Sequence, residues 1–396
     1  MILNDRQSQI YNYTSRLNKH KKDLLYASRI VKHEIAEVLT KKEFHSRTKK
    51  VLSLSKTLTN SSIWISRSSL KYLKSYLDIK TYHNENLRNE RSKTILNVLK
   101  TNGKMPVSLQ VSDHEIFQII YQELMYSHFN LNSEKVFHIQ GKFQNITIVL
   151  VSGVLNEIFS TPAFQRGADY LKDNYQIKNI SIDVSGVKDS KSNAKTIQQN
   201  LTDYCKNNPK EKLWIISFSK GGLDTLHFLK SAPELHEKII GTSFIACPIL
   251  GSEHVNHKFI KAVNASSVVL KKIVKDNKLI PMALEFKKSL DADFRTNWFR
   301  TNHKKLPQNS FYTALALEAK WYQSHLWMIL TKAFFMSGKS NDGIVDTDRA
   351  QFPRYFQGMN LGVLEGHHLI GSRSSFYNQE ALLEAHLIFL KYKKLI

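Results

Sequence analysis

Cysteine is almost absent: 396 residues carry two, Cys205 and Cys247, too few for a disulfide framework or a thiolate metal site, and a reducing compartment follows. The chain also lacks a His-Glu-x-x-His pair, carboxylates at metal-ligand spacing and a glycine-rich phosphate loop, so chemistry without metal or cofactor is expected. No long apolar run is present. The stretch 325–336, "HLWMILTKAFFM", is short and contains Lys332, which excludes it as a membrane span. The opening "MILNDRQSQIYNYTSRLNKHKK" has no apolar core and no small-residue cleavage site, so a cytoplasmic chain is expected, with peripheral membrane contact left open. No self-similar period appears, which excludes a solenoid.

What is present is apolar material for a sizeable core, 42% of residues with 11% aromatic, and an unevenly spread positive charge. Residues 1–110 hold 22 Lys and Arg against 8 Asp and Glu, a net +14 of the chain's +23. A region this basic is drawn to a polyanion, at roughly 1 kcal/mol per basic residue near an anionic lipid surface, or to nucleic acid. Anionic membrane is the preferred partner of residues 1–110, and a solvated basic face is the alternative.

The same region reads as helical. Leu24, Ala27, Val31, Ile35 and Val38, and then Leu70, Leu73 and Leu77, recur at spacings of three and four, each set forming one stripe. Near 101–113 the texture changes, and Ser112 with Glu115 makes a capping box for the next helix. The expected division is a basic helical region at 1–110 and a second domain at 111–396. In the second, strands are expected at 135–143, 145–153, 178–186, 212–218, 238–247 and 310–317, with helices at 163–175, 193–207 and 221–230. Short β-rich apolar runs alternating with amphipathic helices imply an α/β fold, a mainly parallel sheet with helices on both faces. Ligands in such folds bind beyond the carboxyl ends of strands, here after 152, 218 and 247.

One of those ends reads "SFSKGG" (217–222). A nucleophile on a sharp strand-to-helix turn needs small residues two before and two after it, and Ser219 has Ser217 and Gly221 there. The usual pattern is Gly-x-Ser-x-Gly, so Ser217 replaces the first glycine.

Four stretches in order, "VLVSGVLNE" (149–157), "SFSKGG" (217–222), "ACPILGSEH" (246–254), and "SNDGIVDTD" (340–348) with "EGHHLIG" (365–371), resemble the motifs of α/β-hydrolases, most closely those of bacterial lipase- and esterase-type serine hydrolases. The resemblance covers about 145–371 and leaves the N-terminal region out. It implies a Ser-Asp-His triad with Ser219 as nucleophile. Asp342, before Gly343, is favoured as the acid over Asp346 and Asp348, and the base is His368, with His367 as alternative. The oxyanion amides would be those of Lys220 and, by the resemblance, Val154. The insertion at about 254–308 and a helix at 318–336 would be a lid or cap over the cleft, or equally a helical decoration unrelated to access. The expected activity is hydrolysis of a carboxylic ester, with an acyl or lipid substrate. The reading of a different class is a non-catalytic binding protein on the same fold, docking through its basic helices.

Overall fold

The computed structural model describes residues 89–129, 137, 143, 145–153, 162–186, 188–252, 289–319, 339–371 and 377–396. The expected helical stripes before residue 89, most of the strand at 135–143, Val154, residues 254–288 of the insertion and most of the helix at 318–336 lie outside them. The chain divides into two compact units, one of Met1–Met105 and Ile119–His138, the other of Pro106–Gln118 and Ile139–Ile396.

In the first unit, helix α1 (Glu90–Lys100) starts at Asn89, whose side chain accepts from the Arg91 amide, and buries Ile95, Leu96 and Leu99. Helix α2 (Asp113–Phe129), which is divided between the two units at Gln118/Ile119, begins as its capping pattern requires, the Glu115 amide donating to Ser112 Oγ at 3.2 Å.

Among the described residues, the second unit is built on a six-stranded, all-parallel sheet. Strands β1 (Ile146–Val151), β2 (Lys178–Ile182), β3 (Lys212–Phe218), β4 (Ile239–Ile245), β5 (Phe311–Glu318) and β6 (Met359–Glu365) lie in the order β2-β1-β3-β4-β5-β6. Among the described residues, helices α3 (Gln165–Tyr175), α4 (Ser190–Asn207), α5 (Gly221–Ser231), α6 (Ala292–Asn302) and α7 (Gln379–Tyr392) accompany it. The four inner strands are buried nearly end to end, whereas β2 and β6 at the edges are half-exposed. That difference is why the inner strands read as unbroken apolar runs: both of their faces are covered. Strand order reverses between β1 and β3, which places the crevice of such a sheet over their carboxyl ends.

Three differences from the sequence expectations have physical causes. Strand β2 stops at Ile182, and the backbone of Ser185 is instead clasped by Asn193, whose side chain accepts from its N–H at 3.2 Å and donates to its carbonyl at 2.7 Å. Helix α4 starts three residues earlier than its apolar period indicates, because Asp189 accepts from the amides of Lys191 and Ser192 at 2.8 and 3.0 Å. A cap of this kind sets the helix start independently of the apolar stripe. The third concerns "FRTNWF", expected in a lid. It lies in α6, and Trp298, Phe299 and Leu306 are part of the main core with Phe244, Tyr312 and Phe352. Ser252 bridges to Asp291, so the insertion leaves and rejoins the fold at adjacent points.

Helix α7 closes the other flank against α3. A side chain on Gly167 would meet the Gln379 carbonyl at 2.6 Å and Leu383 at 2.9 Å, and buried Glu384 accepts from the phenols of both Tyr170 and Tyr175. Across the sheet centre, Ser243 Oγ accepts from Trp214 Nε1 at 3.0 Å and Thr313 Oγ1 at 2.9 Å, a buried polar link joining β3, β4 and β5 beneath the crevice. No helix among the described residues is long and apolar enough to cross a membrane.

Candidate active site

Strand β3 ends at Phe218 and α5 starts at Gly221, so the chain reverses within two residues. Ser219 takes the strain, with φ of +54°, a left-handed conformation that L-residues occupy only when their surroundings hold them there. The holding is visible on all sides. The Ser219 amide donates to the Ile245 carbonyl at 3.2 Å. A Cβ on Gly221 would sit 2.5 Å from the Val151 carbonyl oxygen, and one on Gly222 would sit 2.4 Å from Cys247 Sγ. Both glycines are therefore dictated by close approach, one to β1 and the other to the loop after β4.

Ser217, which stands where the pattern has glycine, is fully buried. Its Oγ lies 2.8 Å from Thr225 Oγ1, and Thr225 Oγ1 donates to the Gly221 carbonyl at 2.8 Å. Since Thr225 spends its proton on Gly221, Ser217 is the donor of the pair. The departure is a small side chain with its own partner.

The side chain of Ser219 meets His368: Oγ and Nε2 are 2.7 Å apart. On the other side of the ring, Nδ1 and Asp342 Oδ2 are 2.6 Å apart. His368 and Asp342 are each 1% exposed and Ser219 is 8% exposed, so the relay lies in a low-dielectric setting where its charge interactions are strong. Asp342 is fixed by its own loop, its Oδ1 accepting from the amides of Ile344 and Val345 at 2.9 and 2.8 Å. Gly343 has φ of +103°, the conformation for which glycine is needed after that acid. The His368 amide donates to the Asp342 carbonyl at 2.9 Å, and the imidazole stacks on Phe218 at 5.2 Å. Backbone and ring are thus both held.

Of the sequence candidates, the structure brings Ser219, Asp342 and His368 together. His367 turns elsewhere, its Nδ1 accepting from the Leu369 amide at 3.1 Å. Asp346 is buried in the same loop, opposite Asn341 in an antiparallel bridge, and Asp348 is exposed beside Lys339; neither carries the carboxylate at His368 Nδ1. Val154 lies outside the described residues. The Lys220 amide opens onto Gly153, where a Cβ would stand 2.9 Å from it and 3.0 Å from Ser219 Cβ. The space in front of Ser219 and the Lys220 amide therefore depends on glycine at 153.

One element escaped the sequence reading. The Lys220 side chain is buried, and its Nζ donates to both oxygens of Asp224 at 2.9 and 3.1 Å; Asn193 Nδ2 adds a third bond to that carboxylate at 2.8 Å. Burial pushes the Asp224 carboxyl up, against the opposing pull of Lys220 and its hydrogen bonds. The signal was available: Lys220, Asp224 and His227 recur at spacings of four and three, a polar stripe on a helix whose other residues are mostly apolar. A buried pair of this kind anchors the peptide that follows Ser219. No cluster of three or more His, Cys, Asp or Glu able to hold a metal occurs among the described residues.

Comparison with solved structures gives matches at low sequence identity. A metagenomic carboxyl esterase is 20% identical and matches over 70% of this chain and 91% of its own, with a TM-score of 0.56. A Bacillus licheniformis lipase in mature form is 17% identical over 66% of this chain and 95% of its own, with a TM-score of 0.44. Lipase 1 of Pelosinus fermentans is 11% identical over 62% and 98%, at 0.42. No protein-family model matches the chain, and no curated protein does.

The buried pair yields a stability test. Lys220→Met removes the cation bonded to both oxygens of the buried Asp224, leaving it only the Asn193 bond and the field of Arg295, and is expected to lower unfolding free energy by about 3–5 kcal/mol. Lys220→Met combined with Asp224→Leu removes both charges and should recover most of that loss in a denaturant titration. A single variant as stable as the wild type would mean that the pair is not closed in solution.

Proposed function

Because the chain has the α/β-hydrolase fold, we propose that it is a serine hydrolase that cleaves carboxylic esters, with an acyl or lipid substrate. The observation that carries this reading is the hydrogen-bonded series Ser219–His368–Asp342, at 2.7 and 2.6 Å, lying at the end of the central strand β3. Ser219 Oγ attacks the ester carbonyl carbon while His368 Nε2 takes its proton. Asp342 holds the Nδ1–H tautomer and stabilises the imidazolium that forms. The tetrahedral oxyanion is met by the Lys220 amide, at the positive end of α5, and by the Val154 amide that the sequence resemblance assigns. Collapse breaks the C–O bond, and the leaving alkoxide takes the proton from Nε2. Water, deprotonated by the same nitrogen, then attacks the acyl-enzyme and releases the acid with Ser219 restored. None of these steps calls for a metal or cofactor.

Ester hydrolysis is the test. On p-nitrophenyl esters of several acyl lengths the wild type should turn over and Ser219→Ala should fall to background. Gly153→Ala, which pushes a methyl against the Lys220 amide and Ser219 Cβ, should cost about 10²–10³-fold in kcat with the fold retained, the scale of losing one oxyanion donor. An inert wild type across all lengths, or an active Ser219→Ala, would sink the proposal.

The basic residues 1–110, net +14, are proposed to dock on anionic lipid and so bring the site to its substrate. The full chain should co-sediment with vesicles containing phosphatidylserine, less with neutral ones, and progressively less as salt is raised. Equal binding to neutral vesicles would contradict it.

A further inference from the structure

Helices α5 and α6 meet over a guanidinium. Arg295, on α6, is fully buried, yet only part of it is engaged. Its Nη1 lies 3.2 Å from His227 Nε2, on α5. Arginine has no acceptor, so His227 Nε2 accepts and its proton sits on Nδ1. Burial, with Arg295 and Lys230 adding to it, pushes His227 down to about 3, so this ring contributes no positive charge at neutral pH. Trp298, one turn further along α6, forms a wall: the His227 ring stacks on it at 4.4 Å, Arg295 Cζ lies 4.5 Å from its centroid and Lys230 Nζ 5.9 Å.

The other two nitrogens of the group, Arg295 Nε and Nη2, have no hydrogen-bond partner. Which two they are matters. Nε–H and Nη2–H lie along one edge of the planar guanidinium and point the same way, and this edge grips carboxylate or phosphate oxygens in two parallel bonds. The acid nearest in its electrostatic effect, Asp224, is already committed to Lys220 Nζ through both oxygens and to Asn193. The fully buried group of Lys220, Asp224 and Arg295 thus holds two cations and one carboxylate, and a further acid, Asp189, acts on Lys220 and His227 from a less buried position. An uncompensated interior charge with unmade hydrogen bonds is costly unless an anion joins it, and one oxyanion would answer both deficits.

We propose that the seam between α5 and α6 is an oxyanion-binding site, in which Arg295 Nε and Nη2 hold two oxygens of a phosphate or carboxylate group, Lys230 adds a second positive field and Trp298 forms the wall. The site uses none of Ser219, His368 or Asp342, and its test does not depend on catalytic activity.

The probes are inorganic phosphate and acetate, titrated into the full-length protein at constant ionic strength made up with sodium chloride, with melting temperature as the readout. A ligand that binds only the folded chain raises that temperature in a saturable way. The wild type should show a saturating rise with at least one of the two anions, and which anion acts tells a tetrahedral from a planar ligand. Arg295→Leu should abolish the rise. Arg295→Lys keeps a buried cation, and so guards against simple loss of folding, but lacks the paired edge; its apparent affinity should fall about tenfold or more. No rise beyond that of sodium chloride in the wild type would overturn the proposal. So would a rise of equal affinity in Arg295→Lys or one that survives Arg295→Leu, since either would mean an adventitious ion only.

Discussion

The reversal at Ser219 constrains everything around it. A non-glycine residue held at φ of +54° costs on the order of 1–3 kcal/mol that neighbouring contacts must offset, and each neighbour is shaped to do so. Gly221 and Gly222 let α5 approach β1 and the loop after β4. Ser217 donates to Thr225, which donates to the Gly221 carbonyl, beneath the turn, and the Lys220–Asp224 pair fastens the next residue to the helix. The strain is useful because it lifts one hydroxyl to the place where an imidazole from a distant loop can reach it.

That imidazole is itself over-determined. The His368 amide is bound to the same Asp342 whose carboxylate meets its ring, and Phe218 stacks on the ring from the strand that ends at Ser219. Asp342, His368 and Ser219 therefore share supports, and a shift at one would be felt at the others. Helix α5 carries a second consequence. Its polar stripe runs from Lys220 through Asp224 to His227, where it meets Arg295, so the helix that starts beside Ser219 also carries buried charge toward the seam with α6.

Much of this was legible in the residues. The inner strands appear as apolar runs because both faces are covered, and β3 matches its expected bounds, 212–218, residue for residue. The turn at Ser219 could be found from its small neighbours, the loop of Asp342 from the Gly343 that follows, and that of His368 from "EGHHLIG". What could not be read depended on contacts between segments remote in sequence. Nothing in "HHLIG" separates His367 from His368 until the turn is built and one ring faces Asp342. The extra turn of α4 came from the Asp189 cap, outside the apolar period. Residues 294–299 resemble a lid by their aromatic content, yet Trp298 and Phe299 fill the core, since composition alone does not say which apolar surface covers them. Arg295 carried no signal at all, because a buried cation is defined by what surrounds it.

The central claim is that Ser219 is a nucleophile activated by His368, and the most direct measurement is the position of a covalent adduct. After treatment of the folded protein with a fluorophosphonate, intact mass and peptide mapping should show one adduct per chain, on Ser219, and none when the protein is unfolded before treatment. An adduct on another serine, or an unmodified Ser219 in folded protein, would contradict the account.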